Sequence, residues 1–210
     1  MKIKILLLLI IIIVVFMAIP KARAMSASKE YKLGNSYFIG MNGKSESSAK
    51  AIYWWKKSAA QGNANAENGL GRAYSSGRGV PQDYAKAVYW FKKSAAQGNV
   101  YAQNNLGDIY YDGWGVKQSY SKAAYWYKKA AVQRYSDAEN NLGLAYFHGP
   151  GGRQKYSKAI YWFKKALAQG FLDGPSFYIS LAEGLRSGQL QKHVVRESNG
   201  AIFTTYTKIK

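Results

Sequence analysis

A pair of aromatic residues recurs along this chain at a fixed interval of 36 residues, with no insertion between copies. The four copies are Tyr53–Trp54, Tyr89–Trp90, Tyr125–Trp126 and Tyr161–Trp162. A glutamine keeps the same distance from each copy, at Gln61, Gln97, Gln133 and Gln169. A constant period of this length is typical of arrays in which each repeat is one small unit that stacks on its neighbours. The chain is therefore predicted to fold as a repeat array.

Each repeat is predicted to contain two helices, helix A and helix B. In the first full copy helix A begins near Asn65 and ends at the glycine pair that starts with Gly77, because glycine breaks a helix. Helix B runs from about Asp83 to Gln97 and is closed by Gly98, which can adopt the left-handed conformation of a helix cap. The third copy has Arg134 at that position, so its cap is expected to be weaker.

Four parts of the chain are expected. Residues 1–24 form an export segment, and residues 25–170 form the array, which starts near Ser28 with a degenerate helix A. Residues 171–190 are expected to form a diverged capping helix, since the terminal units of solenoids are atypical. The remainder, up to residue 210, shows no clear period and is expected to be an irregular tail.

The first 24 residues resemble a signal peptide. Lys2 and Lys4 precede an unbroken run of 15 apolar residues from Ile5 to Ile19, and Ala22–Arg23–Ala24 fits a cleavage site. An uncleaved membrane anchor is the alternative, because 15 residues is slightly short of the roughly 20 that span a bilayer. In a bacterial cell the product would be periplasmic or secreted, or anchored in the inner membrane facing the periplasm.

Composition limits the chemistry and the partners of the chain. It contains no cysteine, which excludes disulfides, thiolate metal sites and catalytic thiols. Its formal net charge is +19, and 26 basic against 11 acidic residues remain beyond the export segment. A balance of this kind favours anionic partners without indicating a fold.

At this point the repeat resembles a known family. Leu70–Gly71 followed by Tyr74, the loop that ends at Tyr84, and the helix B segment up to Gly98 are similar to the Sel1-like repeat. The resemblance covers about residues 30–170 and departs from the pattern at Arg134 and at Gly152–Arg153. It implies an all-α, right-handed α-solenoid of about four to five 36-residue helix-turn-helix repeats, related to tetratricopeptide arrays and used as an adaptor for other proteins.

Helix B is predicted to be amphipathic. On a helical wheel Ala87, Trp90, Phe91 and Ser94 share one arc, so we interpret the recurring tryptophan–aromatic pairs as core. The opposite arc carries tyrosines and lysines in every copy, with no glutamate three or four residues away, so their charge is expected to be uncompensated. We call this surface the basic ridge; its members are Lys50, Tyr53, Lys56, Lys57, Lys86, Tyr89, Lys92, Lys93, Lys122, Tyr125, Lys128, Lys129, Lys158, Tyr161, Lys164 and Lys165. A merely solvated face and attraction to an anionic partner both explain the ridge.

Helix A of tetratricopeptide-like solenoids lines a concave groove, where partner specificity is expected to lie. The groove positions are Asn68, Arg72 and Ser75, then Asn104, Asp108 and Tyr111, then Asn140, Leu144 and Phe147. Asparagine can bond a peptide backbone through both its donor and its acceptor, and the varied neighbours could select side chains. The alternative, in which these asparagines bond their own loops, stays open.

No catalytic residue, metal ligand or cofactor site is assigned. His148 and His193 lie far apart, and neither has a partner at metal-ligand spacing. Asp108 and Asp112 share a helix face, but without a nearby base they are interpreted as solvent-facing charge. The Gly-x-Gly loops follow helices rather than strands, which argues against phosphate binding.

Two classes of function follow. The leading hypothesis is an exported scaffold that captures a partner protein in the groove, and the partner is expected to have an acidic surface. Family analogy includes periplasmic immunity proteins that neutralise secretion-system toxins. The alternative is a binder of an anionic envelope polymer or lipid through the basic ridge. Nucleic acid is not expected as a ligand, because export removes most nucleic acid from reach.

Overall fold

The computed structural model describes residues 25–43, 46–149, 152–171, 174–196 and 202–209. The predicted export segment lies outside these residues. Within them the helices are α1 (Ala27–Ile39), α2 (Ser48–Ala60), α3 (Ala64–Ser76), α4 (Tyr84–Ala96), α5 (Val100–Asp112), α6 (Tyr120–Ala131), α7 (Ser136–His148), α8 (Gly152–Ala168) and α9 (Pro175–Ser187). The strands are β1 (Leu190–Arg196) and β2 (Ile202–Lys208). In this described part of the chain no helix is both long and apolar enough to cross a membrane.

The helices form consecutive antiparallel pairs. Helices α1, α3, α5 and α7 take the helix A position, and each packs along the helix B that follows it, namely α2, α4, α6 and α8. Each helix B also contacts the next helix A, and α9 packs against α8. The architecture is an all-α solenoid of helical repeats, which confirms the predicted fold class.

Side-chain caps and glycines set the helix ends. The Asp83 side chain accepts a hydrogen bond from the Lys86 amide at the start of α4, and the Asn63 side chain caps α3 in the same way. After helix B, Gly98 has a φ of 87°, which confirms the predicted left-handed cap. Arg134 adopts the same conformation with a φ of 64°, which costs a side-chain-bearing residue about 1 kcal/mol. The solenoid therefore keeps its geometry at the position where the repeat loses its glycine.

The fourth repeat departs from the others at its loop. Gly149 ends α7 in an extended conformation, whereas Gly77 and Gly113 end α3 and α5 in the left-handed one. Helix α8 then begins at Gly152 and runs for 17 residues. This helix B is therefore longer than α4 and α6, which have 13 and 12 residues.

The Leu–Gly motif of helix A is explained by packing inside each repeat. Leu70 is fully buried, and a Cβ added at Gly71 would lie 2.5 Å from the Phe91 ring. Gly143 stands in the same relation to Phe163, at 2.6 Å. Glycine therefore lets an aromatic ring of helix B lie flat against the backbone of helix A.

Recurring tryptophans contact neighbouring repeats, and recurring glutamines form hydrogen bonds between the two helices of a repeat. Trp90 is partly buried and packs against a core that combines α2 of the preceding repeat with α3 of its own repeat, so it helps to join the two repeats. Within a repeat, the Gln97 side chain donates a hydrogen bond of 2.7 Å to the buried Glu67 carboxylate. The equivalent pairs are Glu30 with Gln61, Gln103 with Gln133, and Glu139 with Gln169.

The segment after the array folds as a cap with a hairpin. The capping helix expected within residues 171–190 is present as α9. The expectation of an irregular tail is wrong, because β1 and β2 pair antiparallel, with Leu190 opposite Lys208. Tyr206 and Leu190 pack against the core formed by α8 and α9, and this contact anchors the hairpin.

Candidate functional site

A cavity of about 650 Å³ opens on the face formed by the A helices of the first three repeats. We call it the A-face cavity. Its rim and walls come from α1, α3, α5 and the loops that follow α3 and α5, and Trp55 and Phe91 of the B helices also line it. The aromatic and apolar side chains that contribute are Tyr31, Phe38, Ile39, Trp55, Phe91, Ile109 and Trp114. A cavity of this size and lining is typical of a ligand site.

Three charged side chains line the A-face cavity. Arg78 forms an ion pair with Glu46 and lies 4.1 Å over the Phe38 ring, so its charge is matched. Asp108 is mostly buried and hydrogen-bonded. Arg72 is exposed, and no carboxylate of the described residues lies within 4.0 Å of its guanidinium. Arg72 is thus the charged group that remains available to a ligand.

The groove asparagines lie in a ladder that joins neighbouring repeats. Asn68, Asn104 and Asn140 are each only 8% exposed. The Asn105 side chain donates to Asn68 Oδ1 at 3.0 Å, and the Asn141 side chain donates to Asn104 Oδ1 at 3.2 Å. Both bonds run to the next repeat, so the alternative that these asparagines bond their own loops is wrong. Their burial leaves little surface with which to read a partner.

The ladder ends at Asn140. Its Oδ1 is buried and has no hydrogen-bond partner among the described residues. The position 36 residues after Asn141 is occupied by Phe177, which has no amide to donate. The orphaned oxygen therefore marks the point where the last full repeat meets the cap.

Asp108 accepts hydrogen bonds from side chains of α5, α6 and α7. The expectation that its carboxylate faces solvent is therefore wrong. Its Oδ1 accepts hydrogen bonds from the Tyr127 hydroxyl at 2.7 Å and from Asn141 at 3.4 Å, and its Oδ2 accepts one from Asn104 at 3.2 Å. Burial raises the pKa of Asp108 to about 6, and the nearby carboxylates of Asp112 and Asp137 act in the same direction. The Tyr127 hydrogen bond lowers the pKa and offsets only part of this rise. Burial also raises the pKa of Asp112.

The C-terminal end of the predicted groove is covered. Phe147 is 1% exposed, so its assignment to the partner surface is wrong. It contacts Tyr178 of α9 and Tyr206 of β2, both of which belong to the cap. Leu144 is partly buried against the same core. Tyr111 is also half-buried, and its ring meets Tyr120 edge-on at 5.2 Å. The open part of the groove lies toward the N-terminus.

Many ridge lysines have a structural partner. In every repeat the second lysine of the pair lies over the tyrosine and tryptophan rings of its own helix, as Lys57 does at 5.1 Å from Tyr53 and 5.2 Å from Trp54. Its counterparts are Lys93, Lys129 and Lys165. The lysine at the start of helix B lies over a tyrosine of helix A, as in Lys86 over Tyr74 at 5.6 Å. These cation–π contacts tie the ridge to the fold.

The prediction that the ridge charge is uncompensated is wrong at three lysines. Lys86 pairs with Asp83 at 2.8 Å, Lys93 with the buried Glu67 at 3.3 Å, and Lys164 with Glu183 at 3.6 Å. The first partner is an aspartate and the other two lie on different helices, so a search for nearby glutamates misses them. Lys56, Lys92 and Lys128 have neither a carboxylate nor a ring contact among the described residues. The ridge tyrosines Tyr53, Tyr89, Tyr125 and Tyr161 are 53 to 56% exposed.

Several cavity residues were not predicted from the sequence. Tyr31, Phe38 and Trp114 lie at the cavity although they belong to the degenerate first repeat or to a loop. Trp114 stands at a loop position where the neighbouring copies have Arg78 and Pro150, and this break in the pattern was the available signal. No cluster of three or more potential metal ligands occurs in the described part of the chain.

Comparison with known proteins agrees with this architecture. The model of the Sel1 repeat matches residues 30–63, 64–99, 100–133 and 136–171. No curated protein matches the chain. Among solved structures, c5321, a protective antigen of uropathogenic Escherichia coli strains with an SLR fold, is 34% identical over 75% of this chain, with a TM-score of 0.68. The match covers 33% of that antigen, so this chain spans about a third of its length.

Two further structures share the fold. A Sel1 repeat protein from Oxalobacter formigenes is 34% identical, with a TM-score of 0.51, over 55% of this chain and 86% of that one. MamA is 24% identical, with a TM-score of 0.50, over 71% of this chain and 81% of its own, and it shows likeness of fold alone. Sel1 repeat proteins generally act as scaffolds for protein interaction and are typically not enzymes. With four repeats matched across most of its length, the chain belongs to the Sel1 repeat family.

Proposed function

We propose that this protein is a scaffold that binds a partner protein in the A-face cavity. The observation that carries the proposal is the cavity itself, about 650 Å³ with aromatic walls and lined by Arg72, which has no carboxylate partner among the described residues. Large aromatic side chains and arginine are the residues that dominate the energy of protein interfaces. The rest of the A-helix face supports the proposal less, because its asparagines are buried in the ladder and its C-terminal end is covered by the cap.

A pull-down with two matched variants tests the proposal. The tagged full-length protein is used to capture binding proteins from an envelope extract of the source cells. Ser75→Trp places a large ring in the cavity, and Ser75 is only half-buried, so the fold can accommodate the change. The control is Lys56→Gln combined with Lys92→Gln and Lys128→Gln, which changes three lysines that do not line the cavity. Circular dichroism checks that both variants remain helical.

The proposal predicts that at least one protein is captured by the wild type and the ridge variant at physiological salt, but not by Ser75→Trp. A partner that binds Ser75→Trp as well as it binds the wild type would contradict it. If the ridge variant captures no partner while Ser75→Trp still does, the binding surface lies on the B helices and the proposal is wrong.

We further propose that the protein acts outside the cytoplasm, on the basis of the charged, apolar and A-x-A segments within residues 1–24. A fusion of residues 1–30 to alkaline phosphatase tests this, because that reporter is active only after export. Neutralisation of a periplasmic toxin is one form that partner capture could take. Co-expression with toxins encoded beside the gene should then restore growth, and Ser75→Trp should abolish the protection.

The second candidate function is binding of an anionic envelope polymer along the basic ridge. It is favoured by Lys56, Lys92 and Lys128, which recur in register and have no carboxylate partner among the described residues. The half-exposed tyrosines beside them offer ring surface to sugars. Retention on a heparin column that falls in the triple Gln variant would support this function, and equal retention of both proteins would reject it.

A further inference from the structure

The three charged side chains that line the A-face cavity differ in whether they have an ion-pair or hydrogen-bond partner among the described residues. Arg78 is matched by Glu46, and Asp108 accepts hydrogen bonds from Tyr127, Asn104 and Asn141. Arg72 stands at the position of α3 that corresponds to Asp108 in α5 and has no ion pair among the described residues. The guanidinium therefore keeps its full capacity to bind a carboxylate through two parallel hydrogen bonds.

Apolar surface lies in the same cavity. Trp114 is 44% exposed and Ile39 is 57% exposed, so both offer apolar surface to a ligand in the cavity. Trp114 stacks on Tyr84 with ring centroids 5.9 Å apart, and this contact fixes its orientation toward the cavity. A fixed aromatic surface in the same cavity as an arginine without an ion pair among the described residues fits a ligand that presents an apolar group next to an anionic one.

We infer that the A-face cavity binds a partner segment in which an aspartate or glutamate lies within two residues of a large apolar side chain. Arg72 binds the carboxylate, and the apolar side chain packs between α1 and Trp114. Asp108 at the α5 side repels a second carboxylate, so the acid is held at the α3 side. This inference rests on the proposed function and names the chemistry of the partner at that site.

Charge argues against the other occupants of the cavity. Residues 1–24 carry four basic residues and no acid, so the chain's own leader does not complement Arg72. A second copy carries the same excess of basic residues, with 30 lysines and arginines against 11 acidic residues. Repulsion between like charges opposes that pairing. A different, acidic protein is the occupant that complements the site.

Selection from a random peptide library displayed on phage tests the inference with the full-length protein as bait. The wild type is compared with Arg72→Gln, with Arg72→Lys and with Ser75→Trp. Arg186→Gln is the control, because Arg186 is also an exposed arginine but lies on α9, outside the cavity. The peptide most enriched on the wild type is then synthesised, and its dissociation constant is measured for every variant by fluorescence anisotropy.

The expected result is enrichment of sequences with Asp or Glu within two positions of Phe, Trp, Tyr or Leu. Arg72→Gln should weaken the selected peptide about tenfold or more, since a hydrogen bond to a charged group contributes at least that much. Arg72→Lys should restore part of the affinity, and Arg186→Gln should leave it unchanged.

Four outcomes would overturn the inference; the first two leave the proposed function intact, and the last two do not. Peptides that compete for the cavity but carry no excess of acid, or that bind Arg72→Gln equally well, would reject the role of Arg72 and leave the proposed function intact. Peptides that bind Ser75→Trp as tightly as the wild type would reject both. Failure to enrich any peptide on the wild type would also reject both.

Discussion

Replacing Asp108 by Asn tests whether the cavity wall holds a buried carboxylate. Asn keeps an oxygen that can accept from Tyr127 and Asn141, but it cannot ionise. Burial raises the pKa of Asp108 from 3.8 to about 6 in the folded protein, so the folded state binds this proton more tightly than the unfolded chain does. The stabilisation from proton binding is therefore greatest below pH 4 and is lost as the pH rises through about 6.

The pKa difference sets the magnitude of this effect. On lowering the pH from 7 to 4, the wild type should gain about 2 to 3 kcal/mol of unfolding free energy relative to Asp108→Asn. The other titrating groups are common to both proteins, so the difference isolates Asp108. The loss of the bond from Asn104 adds a constant offset that does not depend on pH.

Urea denaturation followed by circular dichroism at several pH values between 4 and 7 measures the difference directly. Stability curves of the two proteins that run parallel across this range would refute the burial of Asp108. A difference that changes in the opposite direction would show that the hydrogen bonds, and not desolvation, control its pKa.

Three further changes test the packing of the array by the same denaturation assay. Gly71→Ala forces a methyl group against the Phe91 ring and should destabilise the fold by about 2 kcal/mol, although alanine has the better helix propensity. An unchanged denaturation midpoint would contradict the packing explanation of the Leu–Gly motif. Arg134→Gly relieves a left-handed backbone and should stabilise by up to about 1 kcal/mol, whereas a loss would reveal a contact of the Arg134 side chain. Asn104→Leu should lower the free energy of unfolding by about 2 kcal/mol because it breaks the ladder. Asn140→Leu removes an oxygen that has no partner among the described residues, so it should change the free energy of unfolding by less than about 0.5 kcal/mol. Equal losses in the two leucine variants would argue against the ladder.

Periodicity made most of the fold predictable. The 36-residue interval predicted the helix pairs, and glycine at a constant position predicted where the B helices end. Arg134 replaces that glycine in the third copy and still adopts the left-handed conformation. The C-terminal hairpin could not be predicted in the same way, because residues after 190 belong to no repeat. Its strands are stabilised by packing on α8 and α9, which is a tertiary effect.

The candidate site was predicted less well, for a physical reason. Counting from each Leu–Gly pair places Asn68, Asn104 and Asp108 on the A-helix face but does not show which of them the next repeat covers. The ladder uses asparagines of two neighbouring repeats, and Asp108 is held by side chains of α5, α6 and α7. Arg72 is the predicted groove residue that stays exposed and unpaired within the described residues, since its counterparts Asp108 and Leu144 are packed into the array.

Site-specific photo-crosslinking in living cells tests the central claim most directly. A photoreactive phenylalanine derivative is introduced at Ser75, inside the A-face cavity, and separately at Tyr89, on the basic ridge, where the native ring is 56% exposed. The account predicts a crosslink from position 75 to one defined protein, and none to that protein from position 89. A crosslink from position 89 alone, or none from position 75, would contradict the proposal that the cavity is the partner-binding surface.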